Sequence, residues 1–248
     1  MTGKKLLTIS YMLGNIFIVL GVVLLFPLGL SIYFNEGLLL YKAFLIPASI
    51  ALFSGILMNN INPKHLNMNL TTSMIVCGIG WLSASIIGAI PFWIALRKRF
   101  LDTLFESVSG FTTTGITVFQ NLNQMPASII FWRSLIQWLG GLGILTFFLL
   151  ITFRSEGEIW QLFTAESHKF ETSRPVPNIF KSIQILWGIY ILLTLLEILL
   201  LVIFEVNIFN AVIHSFTTLS TGGFSNFDNS ISHWQMIGHP NYKMIEYI

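Results

Sequence analysis

Charge is what this chain has least of. Only 10% of its 248 residues are Asp, Glu, Lys or Arg, while 54% are hydrophobic; soluble domains carry about a quarter charged residues. This scarcity excludes an ordinary soluble domain and points to a membrane protein. The net charge of +2 leaves no basic surface for nucleic acid. Cysteine is limited to Cys77, so no internal disulfide can form. The histidines (His65, His168, His214, His233 and His239) show no ligand spacing, which leaves no metal-site motif. They read as loop and half-helix residues. No nucleophile–base pair stands out either, so the chain is expected not to be an enzyme and to need no organic cofactor.

What is present is a series of long apolar runs. Leu6–Leu30, Leu38–Met58, Leu70–Leu96, Met125–Phe153 and Asn178–Val206 each supply the roughly 20 apolar residues a spanning helix needs. The first run is too long for a secretory leader and lacks a small-residue cleavage pattern; Pro27 is expected to loosen its last turn. Polar punctuation separates the runs: Asn35-Glu36-Gly37, Asn59–Asn69, and the long charged interval Arg154–Lys181. His233–Ile248 reads as the entrance to a further span, with too few apolar residues to cross, and the chain is expected to be a fragment of a longer protein, the alternative being one part of a split or oligomeric assembly. The third run carries Gly78, Gly80, Ser83, Ala84, Ser85, Gly88 and Ala89, small residues that let helices approach closely in lipid. The Gly140–Gly143 patch is read the same way, because no strand precedes it as a phosphate loop would require.

Between the third and fourth runs lies LDTLFESVSGFTTTGITVFQN, Leu101–Asn121, and 108 residues later FNAVIHSFTTLSTGGFSNFDN, Phe209–Asn229. Ser107 aligns with Ser215, Thr113 with Thr221, Gly115 with Gly223, Phe119 with Phe227 and Asn121 with Asn229. Gly222 is the competing partner for Gly115; Gly223 preserves those identities. Each copy opens with an apolar segment too short to span, Asp102–Phe111 and Asn210–Thr218, with Asp102 expected as an N-cap. Each then passes into a Thr/Gly run. Non-helical backbone at membrane depth is tolerated only inside protein or along a water-filled cavity. A dehydrated monovalent cation takes carbonyl and hydroxyl oxygens in place of its hydration shell, and the C-terminal ends of the half-helices would favour it electrostatically. Thr112, Thr113, Thr114, Gly115, Ser220, Thr221, Gly222 and Gly223 are therefore the candidate filter residues, with potassium expected at Thr113, Thr114, Thr221 and Gly222. Arg133 and Gln137, one turn apart on the fourth span, and Glu197, in the middle of the fifth, are candidates for coupling or gating, since ionisable groups inside spans mark function by default.

SGFTTTGITV (Ser109–Val118), WRSLIQWLGGLGI (Trp132–Ile144), HSFTTLSTGGFSNFD (His214–Asp228) and GAIPF (Gly88–Phe92) resemble the membrane subunit of Trk-type potassium uptake systems, in the Trk/Ktr/HKT superfamily. The resemblance implies an all-α membrane protein of four helix–pore-loop–helix repeats preceded by two extra helices. On that plan residues 1–60 are the extra helices, 61–154 the first repeat, 155–177 a cytoplasmic loop and 178–248 a second repeat lacking most of its closing helix. It implies potassium uptake, with the filter glycines Gly115 and Gly223 marking potassium preference and a serine in the first repeat accompanying sodium permeation. It further implies a homodimer in membrane lipid, a cytosolic nucleotide-binding regulatory subunit and a bacterial inner-membrane location. The alternatives are a sodium- or proton-coupled symporter of the same fold and a non-transporting scaffold. With the N-terminus inside, Lys4, Lys5, Lys64, Arg154, Lys169, Arg174 and Lys181 face the cytoplasm, against Lys42, Arg97, Lys98, Arg99 and Lys243 outside, a modest positive-inside bias.

Overall fold

The computed structural model describes residues 3–60, 70–144, 146 and 179–247. Helices α1 (Gly3–Val23), α2 (Leu25–Tyr33), α3 (Leu38–Asn59), α4 (Leu70–Leu96) and α5 (Phe100–Phe111) lead to a 3₁₀ turn at Leu122–Gln124. Then come α6 (127–144), α7 (Ile179–Ile203), α8 (Ile208–Leu219) and two short helices, α9 (Ser232–Met236) and α10 (Tyr242–Tyr247). There is no strand among the described residues. Lys5–Tyr33, Leu38–Asn59, Thr71–Leu96 and Lys181–Ile203 are long and apolar enough to cross a membrane. The charged interval expected to be a cytoplasmic loop lies almost entirely outside the described residues.

The first apolar run is not one continuous helix. It breaks at Leu24, between α1 and α2. Pro27 lacks the N–H that would bond the carbonyl of Val23, and its ring crowds that carbonyl, so the interruption falls one turn before the proline rather than in the last turn of the run. Leu24 still donates to Leu20 at 3.0 Å, and the axis carries on. Gly37, at φ 96°, reverses the chain into α3, which packs along α1 and α4.

The core is apolar and centred where α3, α4, α5 and α6 converge. Phe44, Phe92, Ile129, Trp132 and Ile136 are fully enclosed there, with Phe111 and Phe119 beside them. Trp132 anchors α6 to α4 by donating its indole N–H to the Gly88 carbonyl at 2.9 Å. A buried indole donor almost always finds such a partner. The turn between α2 and α3 reaches the start of α6: the Glu36 carboxylate accepts from the Ser128 amide at 3.1 Å and from the Ser128 hydroxyl. A carboxylate on the free amides of a helix N-terminus is favourable by both hydrogen bonding and the helix dipole. The N-terminal hairpin thereby clasps the helix that carries Arg133 and Gln137.

Candidate functional site

The two Thr/Gly segments share one backbone from the half-helix through Gly115 and Gly223; they part further on, where Asn121 is left-handed at φ 60° and the second copy turns one position later, at Ser230 (φ 52°). Helices α5 and α8 are each 12 residues long and begin and end 108 positions apart, at Phe100–Phe111 and Ile208–Leu219. Left-handed residues recur at the same offset: Arg97 and Glu205 at φ 52° and 68°, Thr113 and Thr221 both at 54°, Gly115 and Gly223 at 77° and 75°. Each half-helix closes with the same pair of hydrogen bonds. Thr114 N–H donates to Ser109 at 3.0 Å and Thr113 N–H to Gly110 at 3.0 Å; Gly222 donates to Thr217 at 2.9 Å and Thr221 to Thr218 at 2.7 Å. This is the Schellman closure, whose left-handed position is usually glycine. Threonine occupies it in both copies, at a cost of about 1–2 kcal/mol in backbone strain. Strain kept twice at matching positions is a mark of a functional loop.

The left-handed pairing also decides the register. Gly223, not Gly222, is the counterpart of Gly115. Gly222 corresponds to Thr114 and is glycine for another reason: a Cβ built there would lie 2.4 Å from the side-chain amide carbon of Gln137. The loops also touch. A Cβ on Gly115 would sit 1.9 Å from the Gly222 carbonyl oxygen, so the two backbones abut.

Helix α6 holds both loops. Arg133 and Gln137 do share a face, and both are fully buried. The Arg133 guanidinium forms an ion pair with Glu106 of α5, at 2.7 Å from Nη2 and 2.9 Å from Nε to the same carboxylate oxygen. It also donates to the Thr117 hydroxyl at 3.2 Å and to the Ser225 carbonyl of the second loop at 2.9 Å, and lies 4.3 Å from the centre of the Phe224 ring. Glu106 accepts in addition from the Thr117 hydroxyl at 2.8 Å and the Val118 amide at 3.1 Å. Every polar group of this buried pair is thus engaged, the condition under which such a pair persists. Gln137 donates from Nε2 to the Gly222 carbonyl at 2.9 Å and accepts at Oε1 from the Phe224 amide at 3.1 Å. Further along, Asp228 accepts the Leu122 amide at 3.2 and 3.1 Å, tying the two loops together beyond α6. Gly140 lets α6 meet the end of α5: a Cβ there would stand 2.2 Å from the Phe111 carbonyl oxygen. Close helix packing, as expected for that patch, is its use.

Not every expected residue falls where the sequence suggested. Asp102 is not an N-cap. Arg99 holds that position in extended backbone with no side-chain cap, and Asp102 lies inside the first turn, its amide bonded to the Arg99 carbonyl at 3.1 Å. The second copy is capped, by Asn207, whose Oδ1 accepts from Phe209 at 2.9 Å. Thr112 and Thr114 are exposed, their hydroxyls 2.7 Å apart, and Thr221 and Gly223 are exposed in the second loop. Glu197 lies apart from Arg133 and Gln137. It is buried and lines a small cavity with His214, Thr218, Trp234 and Ile245. Glu106 escaped the sequence reading altogether. Its signal was available: it is the one charge in the interior of an apolar half-helix, and its counterpart 108 positions on is the buried His214.

Spanning apolar helices, with two short helices each closed by a strained Thr/Gly loop, define an all-α membrane protein of repeated helix–loop–helix units. Residues 44–242 match the TrkH family model, described as a cation transport protein, and the chain belongs to that family. It is 37% identical over 227 residues to an uncharacterized cation transporter of Methanocaldococcus jannaschii, covering 91% of this chain and 46% of that protein. It is 30% identical over 227 residues to the Trk system potassium uptake protein TrkH of Halomonas elongata, covering 90% of this chain and 46% of that one. The fold matches the crystal structure of the potassium transporter TrkH from Vibrio parahaemolyticus, with a TM-score of 0.75 and 24% identity over 98% of this chain and 54% of that chain. The chain spans about half the length of the relatives it matches.

Proposed function

We propose that this chain forms part of a potassium uptake path across a membrane, with the two Thr/Gly loops contributing to its selectivity filter. One observation carries the reading: Thr113/Thr221 and Gly115/Gly223 repeat the same left-handed geometry in two loops whose backbones touch. Potassium is assigned to Thr113, Thr114, Thr221 and Gly222, with Thr112, Gly115, Ser220 and Gly223 shaping the loops around it. The Gly222 carbonyl also accepts from Gln137, which holds the second loop and leaves the oxygen's second lone pair for the ion. The oxygens needed to complete an ion's shell come from further repeats, in keeping with relatives about twice as long. Residues 1–60, 61–154, 155–177 and 178–248 are assigned as extra hairpin, first repeat, cytoplasmic loop and second repeat. An inner-membrane location, a homodimer and a cytosolic nucleotide-binding subunit follow from the same family resemblance, and an N-terminus inside from the distribution of Lys and Arg in the loops.

The test is Gly223→Ser in the full-length protein, reading potassium against sodium uptake in cells. A side chain at Gly223 meets nothing within 4 Å, whereas one at Gly115 collides with the second loop, so Gly223 is the cleaner probe. Increased relative sodium uptake is expected; unchanged selectivity refutes the filter assignment. A second reading, ion-coupled symport, draws support from Glu197, a buried carboxyl directly behind α8. Glu197→Gln would then alter the pH or sodium dependence of potassium uptake, and an unaltered profile removes that reading.

A further inference from the structure

We propose that Gln137 is a positioning residue for ion selectivity: from the helix of the first repeat it fixes the peptide geometry on both sides of Gly223, in the loop of the second. The proposal rests on the filter reading above and extends it to a residue that lines no ion site.

The geometry is more specific than satisfying one buried amide requires. Gln137 is fully buried, and its two polar atoms go to two backbone groups of one loop, Nε2 to the Gly222 carbonyl and Oε1 to the Phe224 amide. A carbonyl at one residue and an N–H two residues on are the pair that a neighbouring β-strand would engage. The glutamine amide acts as a one-residue strand partner. It fixes the orientation of the peptide groups on both sides of Gly223, a residue that without a Cβ has the widest conformational freedom to lose. The contact is built from both sides, because Gly222 has to be glycine for the amide to lie against it: a Cβ at that position would come within 2.5 Å of Oε1 and 2.6 Å of Nε2. The equivalent residues of the first loop, Thr114 and Ile116, are not gripped this way among the described residues; there the Ser109 hydroxyl donates to the Ile116 carbonyl at 2.6 Å. The Gly222 carbonyl that Gln137 holds is also the group against which Gly115 abuts. One side chain thereby sets the spacing of the two loops. Carbonyl-based selectivity depends on the number and placement of the oxygens around the ion, so a loosened peptide at Gly223 changes which ion is preferred.

The experiment compares Gln137→Leu, Gln137→Glu and Gly223→Ser in the full-length transporter. The readouts are initial rates of potassium and sodium uptake over a range of concentrations, with membrane abundance measured in parallel. Gln137→Leu removes both hydrogen bonds. It is expected to lower the potassium-to-sodium preference about tenfold at unchanged abundance, a change of about 1.4 kcal/mol, only part of the cost of leaving two buried backbone groups unpaired. Gln137→Glu keeps the volume, and in this fully buried site the protonated carboxyl can still accept from Phe224 and donate to Gly222, with altered geometry, so a smaller shift in the same direction is expected. Wild-type selectivity in both Gln137 variants, while Gly223→Ser changes it, overturns the proposal and leaves the filter reading standing. Wild-type selectivity in all three overturns both. Absence of both Gln137 variants from the membrane also overturns it, since the residue would then serve folding alone.

Discussion

The two loops have one backbone and two different means of support. The first is held by charge: Glu106 and Arg133 pair at 2.7 Å, and Glu106 takes the Thr117 hydroxyl and the Val118 amide. The second is held by a neutral amide, Gln137, and by a carbonyl bond to Arg133. Where Glu106 stands in the first copy, His214 stands in the second, stacked 6.0 Å from Phe227 with its Nε2 unpartnered among the described residues. Backbone path is therefore set by the local closure and the left-handed residues, which the copies share. The environment around it is set by whichever side chains a neighbouring helix offers, and these differ. Duplicated segments keep what local sterics dictates and diverge in what long-range packing allows.

The largest effect should come from the charged support. Arg133→Leu strands the Glu106 carboxylate in a fully buried site, and breaking such a pair costs about 3–5 kcal/mol. Thermal unfolding of purified full-length protein is expected to show a large loss, with Glu106→Gln/Arg133→Leu milder than Arg133→Leu alone. A double variant as unstable as the single one would break the contrast between the loops. Next are the paired glycines. Gly223→Ala meets open space and pays mainly for its positive φ, about 1–2 kcal/mol. Gly115→Ala carries that cost too and drives a methyl to 1.9 Å from the Gly222 oxygen, so the loops must part. Uptake assays should show Gly115→Ala nearly inactive and Gly223→Ala only impaired; equal activities would mean the loops are not in contact. The smallest effect separates the half-helix starts. Asn207→Ala removes a cap worth about 1 kcal/mol, while Arg99→Ala removes none. A similar fall in melting temperature for both would erase that difference.

Much of the fold could be read from residue order. Spans follow from apolar length, and the half-helices from being too short, which is why Leu38–Asn59 and Leu70–Leu96 lie within a residue of expectation. The repeat register follows from the identities that pair Thr113 with Thr221 and Gly115 with Gly223. The errors lie where a local rule met a competing one. Asp102 has the right chemistry for a cap, but Arg99 enters the helix first and places it in the first turn. Pro27 is visible, yet the break it causes is one turn earlier, at the carbonyl it cannot bond. Glu106 was passed over because a carboxylate is judged by its partner, and the partner is 27 residues away on another helix.

By itself the sequence determined that this chain is a helical membrane protein, that one element recurs after 108 residues, and which of its residues carry Thr/Gly chemistry. Those properties depend on composition and on spacing within a few turns, where sterics and apolar length decide. Only the tertiary structure decided that Arg133 answers Glu106, that Gln137 grips the second loop, and that Gly222 is glycine to admit an amide rather than to turn the chain. Each of these is a meeting of groups from separate helices, and such meetings depend on how helices pack, which no spacing along the chain encodes.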